Sequence, residues 1–396
     1  MNATDKDYEE YIKYYIDSML LDKTNEMEAH NSPGLLQLED YIKEYAGDQD
    51  YLFSTPLFVS WEFTSACNFR CKHCLYNAGD YSAKNDLSPE KAMAVADELI
   101  NDFSIVRVSL TGGEIFTRPD IMDIIRKFKE NNVALRLLSN AALLNDRLID
   151  ELAEIMDPKM DAIKISLDGA NEEIYRRVRN TDLFNKVIQN IKRLVDKKVE
   201  VCTACALNTI NYKEGYDIYK LSCDLGVGSI HFNNMMVLND SHFKLKIPDR
   251  EFFKFYYEMK HKGLPEYPVL TFKGVDHDDL IGIPEVRYVI DKYYSNLIKT
   301  KVMSPDTRIC HYHSAIDISA DGTVYPCGET RLLQVAPLGN CKNNSLMEIW
   351  ENRINNPMLT PCAAKSVPCL KCKYSHFCHG GCPAHGAGCK ACQPVV

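Results

Sequence analysis

The sequence predicts an α/β fold, a parallel sheet of repeated strand-then-helix units with a cysteine-rich extension behind it. Three observations carry this. From Pro56 onward, short apolar strands alternate with helical stretches through six units. The first strand runs straight into Cys67-Asn-Phe-Arg-Cys71-Lys-His-Cys74, which delivers three thiols in eight residues. Polar groups then close the next three strands in turn: Thr111-Gly112-Gly113-Glu114, Ser139-Asn140 and Ser166-Leu167-Asp168-Gly169.

The elements follow in order. Met1 to about Thr55 is polar and helical, with Tyr8, Tyr11, Ile12, Tyr15 and Met19 on one stripe and a second helix over Leu35–Tyr45 after the break Asn31-Ser32-Pro33-Gly34. An amphipathic stripe of this kind covers a core. Phe58–Phe63 is the first strand, and Ser88-Pro89-Glu90 starts a helix with serine as cap and proline at the first helical position. Strands follow at Ile105–Thr111, Ala134–Ser139, Ala162–Leu167, Glu200–Leu207 and Ser229–Met236, and helices lie between them, with Arg250–Lys260 closing the last unit. Residues 241–307 read as a helical linker containing a tyrosine-rich helix, Glu285–Ile298. In 308–396, Ile316–Tyr325 reads as a hairpin turning at Asp321-Gly322, and Leu346–Ile354 as a helix. The chain thus divides into an N-terminal segment 1–55, a core 56–240, the linker and a cysteine-rich domain.

Composition narrows the classes. With 396 residues, 45% hydrophobic and 26% charged, the chain is an ordinary globular one. A net charge of −9 without a basic stripe argues against nucleic acid, whose phosphates require clustered lysine and arginine. The first residues carry no charged-then-apolar leader, and no apolar run is long enough for a bilayer, so no membrane partner and a cytoplasmic location are expected. In that compartment sixteen cysteines are better explained by metal ligation than by disulfides.

Ligands of α/β folds sit beyond the carboxyl ends of the strands, where the cysteine loop and the polar strand ends converge. Cys67, Cys71 and Cys74 are able to hold three corners of an iron–sulfur cube and leave the fourth iron open, the mark of a catalytic metal site. A closed zinc site on the three thiols and His73 is the alternative. The tail delivers Cys310, Cys327, Cys341, Cys362 and the run Cys369-x₂-Cys372-x₅-Cys378-x₃-Cys382, with Cys389 and Cys392 behind. Taken alone, it also fits a zinc ribbon.

Cys-x₃-Cys-x₂-Cys after the first strand, followed by Gly-Gly-Glu, resembles the radical S-adenosylmethionine (SAM) superfamily over roughly residues 57 to 240. The resemblance implies a partial (β/α)6 TIM barrel, with a [4Fe–4S] cluster on Cys67, Cys71 and Cys74 whose open iron chelates SAM. One electron then yields methionine and a 5′-deoxyadenosyl radical. It further implies that Gly112, Gly113 and Glu114 meet the SAM amino group, that Ser166 lies near its carboxylate or ribose, that Asn140 helps hold it, and that an arginine among Arg176, Arg177 and Arg179, here assigned as Arg179, pairs with the carboxylate. Two departures are Ile115, where proline is frequent, and His73, where an aromatic residue is.

Cys310 to Cys392 resemble the SPASM extension, which implies two auxiliary [4Fe–4S] clusters. Cys310, Cys327 and Cys382 would serve one, completed by Cys341, Cys362, a substrate thiolate or nothing. Cys369, Cys372, Cys378 and either Cys389 or Cys392 would serve the other. The expected activity is that of a peptide-modifying maturase: hydrogen abstraction from a peptide or small protein, net oxidation to a thioether or carbon–carbon cross-link, and an external one-electron donor of the flavodoxin or ferredoxin type. A sulfatase-type maturase fits less well, because Gly328-Glu329 follows Cys327 instead of aspartate. Glu329, Tyr325 and His385 are candidate bases. A radical SAM enzyme of a small molecule and a zinc-binding scaffold are the competing classes.

Overall fold

The computed structural model describes residues 6–21, 55–76, 83–265, 267–273, 283–294 and 315–356. In chain order these form α1 (Lys6–Leu21), β1 (Phe58–Thr64), α2 (Pro89–Asn101), β2 (Arg107–Gly112), α3 (Ile121–Glu130), β3 (Ala134–Ser139), α4 (Asp146–Ile155), β4 (Ala162–Ser166), α5 (Glu172–Arg179), α6 (Phe184–Asp196) and β5 (Val201–Leu207). Next come α7 (Gly215–Asp224), β6 (Ser229–Asn234), α8 (Asp240–Phe243), α9 (Asp249–Lys260), β7 (Val269–Lys273), α10 (Pro284–Tyr293), β8 (Ala315–Ile318), β9 (Thr323–Tyr325), α11 (Gly328–Leu332), β10 (Gly339–Asn340) and α12 (Leu346–Asn352).

One sheet runs through all ten strands in the order β10-β9-β8-β1-β2-β3-β4-β5-β6-β7. β1 to β7 are parallel, and β10 and β7 are its edges, so this is an open, partial barrel. The stretch read as a helical linker contributes a seventh parallel strand, β7, on the edge of β6. Its five residues carry too short an apolar pattern to stand out from their neighbours, and pairing with β6 decides their conformation. The hairpin expected at Asp321-Gly322 is present, with Gly322 at φ +85°, but it is not a separate layer. Its first strand pairs in parallel with β1, Ser60 opposite Asp317, and extends the barrel sheet.

The strands read alternately buried and half-buried because the two faces meet different surroundings. Val108, Leu110, Leu135, Leu137, Ile163 and Ile165 are fully buried under the crossover helices, where each such side chain contributes about 1.5–3 kcal/mol. Thr203 of β5 donates to Ser222 of α7 at 3.0 Å, which marks the same face of that strand. The opposite, concave face carries Ser60, Glu62, Ser109, Thr111, Arg136, Lys164, Ser166 and Cys202. It is a polar lumen.

Helix starts follow their capping residues. Ser88 accepts from Lys91 N ahead of Pro89, and Asn145 and Asn171 cap α4 and α5 in the same way. The stripe of α1 is buried at Ile12, Tyr15 and Ile16, with Tyr15 edge-on to Phe252, Phe253 and Tyr256 of α9. Glu9 meets Lys292 and Tyr293 of α10. The second candidate helix of this segment, Leu35–Tyr45, lies outside the described residues.

Candidate active site

The cysteine loop leaves the carboxyl end of β1, and its three thiols are half-buried and in no disulfide. Phe69 N donates to Cys67 Sγ at 3.4 Å, and Cys74 N to Cys71 O at 3.2 Å. Neighbouring strand ends pin the loop from three sides. Gly113 N donates to Thr64 O at 2.8 Å and Glu114 N to Ala66 O at 2.9 Å. Asn140 Nδ2 donates to Asn68 Oδ1 at 2.8 Å, and Lys72 N to Val178 O at 3.1 Å.

Glycine is required at the first of these contacts. Gly112 stands at φ +125°, and a Cβ there would lie 2.3 Å from Thr64 O. A Cβ on Gly113 would lie 2.0 Å from Ala66 O. The close approach that these two glycines permit is thus made to the end of β1 and the cysteine loop. Glu114 is fully buried and accepts from Ser139 Oγ at 2.8 Å and from Asn140 N at 2.6 Å. Burial pushes its carboxyl above the ordinary range against the pull of those donors. Both its oxygens are engaged by the end of β3, so in this arrangement it orients Asn140. Ser166 sits half-buried on the concave face, opposite Ala204.

Of the three candidate arginines, Arg176 and Arg177 are exposed on α5 and pair with Asp182 and Glu173. Arg179 alone is buried, its Nη1 donating to Asp168 at 2.9 Å and its guanidinium 5.6 Å from the Phe69 ring. Burial opposes its charge, but Cys71 and Asp168 raise its pKa further than burial lowers it. Asp168 also accepts from Ala206 N at 2.7 Å and lies 3.5 Å from His73 Nε2. Sequence reasoning noticed Asp168 only as a strand-end residue. Its position after β4, facing three different elements, makes it the buried hub behind the loop.

Burial raises the Cys67 thiol and pushes Cys71 up to about 11, and a metal bound there would displace their protons. Burial lowers the His73 pKa, and its Nδ1 is buried without a hydrogen-bond partner among the described residues. No group of three His, Cys, Asp or Glu side chains among the described residues is gathered as a single metal ion needs. Ligands of a cube bind separate irons and stand wider apart. Three thiols on one short loop, a buried guanidinium beside Cys71 and a glycine-tight backing fit an iron–sulfur cluster with one open corner.

Residues 61–221 match the radical SAM superfamily, and residues 310–378 match the SPASM iron–sulfur cluster-binding domain. The chain carries a radical SAM domain followed by a SPASM domain. Together they imply a SAM-binding [4Fe–4S] cluster and auxiliary iron–sulfur clusters. The chain is similar to the AdoMet-dependent heme synthase of Methanosarcina barkeri (strain Fusaro / DSM 804), 24% identical over 342 residues, 83% of this chain and 91% of that one. It is 33% identical to a probable GTP 3′,8-cyclase of Saccharolobus solfataricus over 171 residues, 42% of this chain, and spans about half (53%) of that relative's length. In fold it is similar to Streptococcus suis SuiB, with TM-score 0.66, 14% identity and coverage of 89% and 78% of the two chains. The structure of anSMEcpe with bound AdoMet gives TM-score 0.57, 19% identity and coverage of 83% and 86%.

In the SPASM domain the structure describes two of the predicted cysteines. Cys327 caps α11, half-buried, with its sulfur 3.8 Å from Thr330 Oγ1. Cys341 is fully buried, and its N donates to Gly322 O at 2.8 Å, at the turn that opens β9. Cys327 lies beyond the other end of that strand, so the described structure does not bring the two together. Cys310, Cys362, Cys369, Cys372, Cys378, Cys382, Cys389, Cys392 and the candidate base His385 lie outside the described residues. Sequence reasoning missed Arg331 of α11, which binds Glu62 at 3.0 Å and the Tyr76 hydroxyl at 2.6 Å and pairs with Asp317. Nothing in its local sequence marks it, since its partners come from three distant segments.

Proposed function

We propose that this chain is a maturase that oxidises a side chain of a peptide or small protein, forming a thioether or carbon–carbon cross-link. The observation that carries this reading is the continuity of the sheet: β8, which leads through β9 to Cys327, hydrogen-bonds onto β1, which delivers Cys67, Cys71 and Cys74. In this reading an auxiliary cluster held in part by Cys327 would take up an electron from the substrate close to where SAM is activated. The peptide class is supported by proteins of like fold, SuiB bound to the precursor peptide SuiA and anSMEcpe with bound AdoMet and Cp18Cys peptide.

When bound, the cluster supplies the electron that cleaves SAM to methionine and a 5′-deoxyadenosyl radical. The protein's own residues hold and orient. Cys67, Cys71 and Cys74 ligate three irons. Gly112, Gly113, Asn140 and Ser166 would border SAM, Glu114 holds Asn140 in place, and Arg179 would balance the thiolates and offer its guanidinium to the SAM carboxylate. Cys310, Cys327, Cys382 and the cysteines from Cys369 to Cys392 hold the auxiliary clusters. One substrate hydrogen would leave as an atom to the 5′-deoxyadenosyl radical, giving 5′-deoxyadenosine. The second would leave as a proton and an electron, for which an auxiliary cluster would be the acceptor, so the product would be lighter by two hydrogens. An external flavodoxin- or ferredoxin-type donor in the cytoplasm supplies the first electron.

A second reading, a small-molecule substrate, is favoured by the likeness to the heme synthase across 91% of that protein's length. Anaerobic incubation with SAM and a strong reductant tests the proposal. 5′-Deoxyadenosine is expected from the wild type and none from Cys67→Ala, Cys71→Ala or Cys74→Ala. Cysteine-containing peptides are expected to lose two hydrogens. Turnover of small molecules alone would favour the second reading, and zinc without acid-labile sulfide would remove both.

A further inference from the structure

Among the described residues, the concave face of the sheet holds a cation with nothing to neutralise it. Arg136 sits at the middle of β3 in a row with Ser60 of β1 and Ser109 of β2, which stand opposite one another in register. Leu135 and Leu137 on either side of it are buried under the helices, so Arg136 faces the lumen. It is half-buried, and among the described residues it makes no hydrogen bond or ion pair.

Other charges of this face do not serve it. Glu62 and Asp317 are both held by Arg331. Glu200 is carried two strands away, next to Ala162 in register terms, and meets burial alone, without a charged partner. Lys164 of β4 adds a second cation on the same face one step toward the carboxyl end, opposite Leu138. Cys202, and not a carboxylate, is the neighbouring group that acts on Arg136.

Burial disfavours the Arg136 charge, yet a guanidinium does not give up its proton in a protein. A desolvated charge left without a partner is costly. At the floor of a polar cleft, beneath the ends of the strands that meet the cysteine loop, such a group is poised for a ligand that brings the missing charge. Its planar fork suits a carboxylate, and the Ser109 hydroxyl in the same row is a further donor.

We propose that Arg136 is a specificity-determining residue that binds a carboxylate of the substrate inside the barrel. This rests on the reading that a peptide enters the lumen. The carboxylate belongs to an acidic side chain or to the peptide's own C-terminus, and the test separates the two.

The experiment is calorimetric titration of the anaerobic, cluster-loaded protein with SAM present, using three peptides. These are acetyl-Gly-Glu-Gly-amide, its neutral analogue acetyl-Gly-Gln-Gly-amide, and acetyl-Gly-Gln-Gly with a free C-terminus. One acidic peptide is expected to bind roughly tenfold or more tighter than the neutral one, the strength of a charge-assisted hydrogen bond. Which one does so names the source. Arg136→Gln is expected to abolish the preference and Arg136→Lys to keep part of it. Equal binding of all three by the wild type, including no binding of any, overturns the proposal without reference to a variant's folding. So does a preference that survives in Arg136→Gln. Formation of 5′-deoxyadenosine by the same preparation reports separately on the maturase reading, so either idea fails on its own.

Discussion

Arg331 donates to the Tyr76 hydroxyl at 2.6 Å and so ties a helix that begins at Cys327 to a residue just past Cys74. The same guanidinium holds Glu62 of β1 and Asp317 of β8, whose carboxyl is 2% exposed. One buried cation therefore joins the loop of the radical SAM domain, the first barrel strand and the SPASM domain. Removing it leaves two buried carboxylates facing each other. Arg331→Met is expected to cost about 3–5 kcal/mol in chemical denaturation, and adding Glu62→Gln to recover part of it.

The backing of the cysteine loop is equally specific. A methyl group at Gly113 meets the backbone at Ala66, which has no free side chain to swing away. Gly113→Ala is expected to displace the loop at a cost of about 1–3 kcal/mol and to lower iron and sulfide per chain after reconstitution. Unchanged iron content would show that the loop tolerates the shift.

Cys341 and Cys327 differ in surroundings, and their variants separate them. Cys341 packs within the apolar core near Leu87 and Gly322, whereas Cys327 stands half-buried at a helix start. Cys341→Ala is expected to leave iron and sulfide per chain unchanged. Cys327→Ala is expected to lower both, and equal losses would return Cys341 to the ligand set.

A pH effect is expected at Glu200, which lies against Gly228 and whose carboxyl burial raises above its ordinary value. A carboxyl raised on folding binds its proton more tightly in the folded state. Its contribution to stability is therefore full below the ordinary glutamate value and is lost as pH rises through the raised one. Glu200→Gln is expected to remove that loss, so its midpoint of denaturation should exceed the wild type's at neutral pH and approach it in acid. Parallel pH profiles for the two proteins would refute this.

Much of this molecule is legible in the chain itself. Cys67, Cys71 and Cys74 sit close in sequence, so their chemistry does not depend on long-range contacts. The alternation of apolar strands and capped helices also declares itself locally, because burial on one face imposes a period that sequence displays. The Gly112-Gly113 pair signals a tight approach for the same reason.

What the sequence alone determined is the fold class, the three-cysteine loop and the order of strand ends around it. The tertiary structure decided which groups meet across the sheet. It buried Arg179 and left Arg176 and Arg177 exposed, made Asp168 and Arg331 hubs, set Glu114 behind Asn140, put β7 on one edge of the sheet and β8 against β1, and left Arg136 without a counter-charge among the described residues. The physical reason is range. Periodicity and spacing act over a few neighbouring residues, whereas ion pairs and strand pairing join segments more than two hundred and fifty residues apart, as between Arg331 and Glu62.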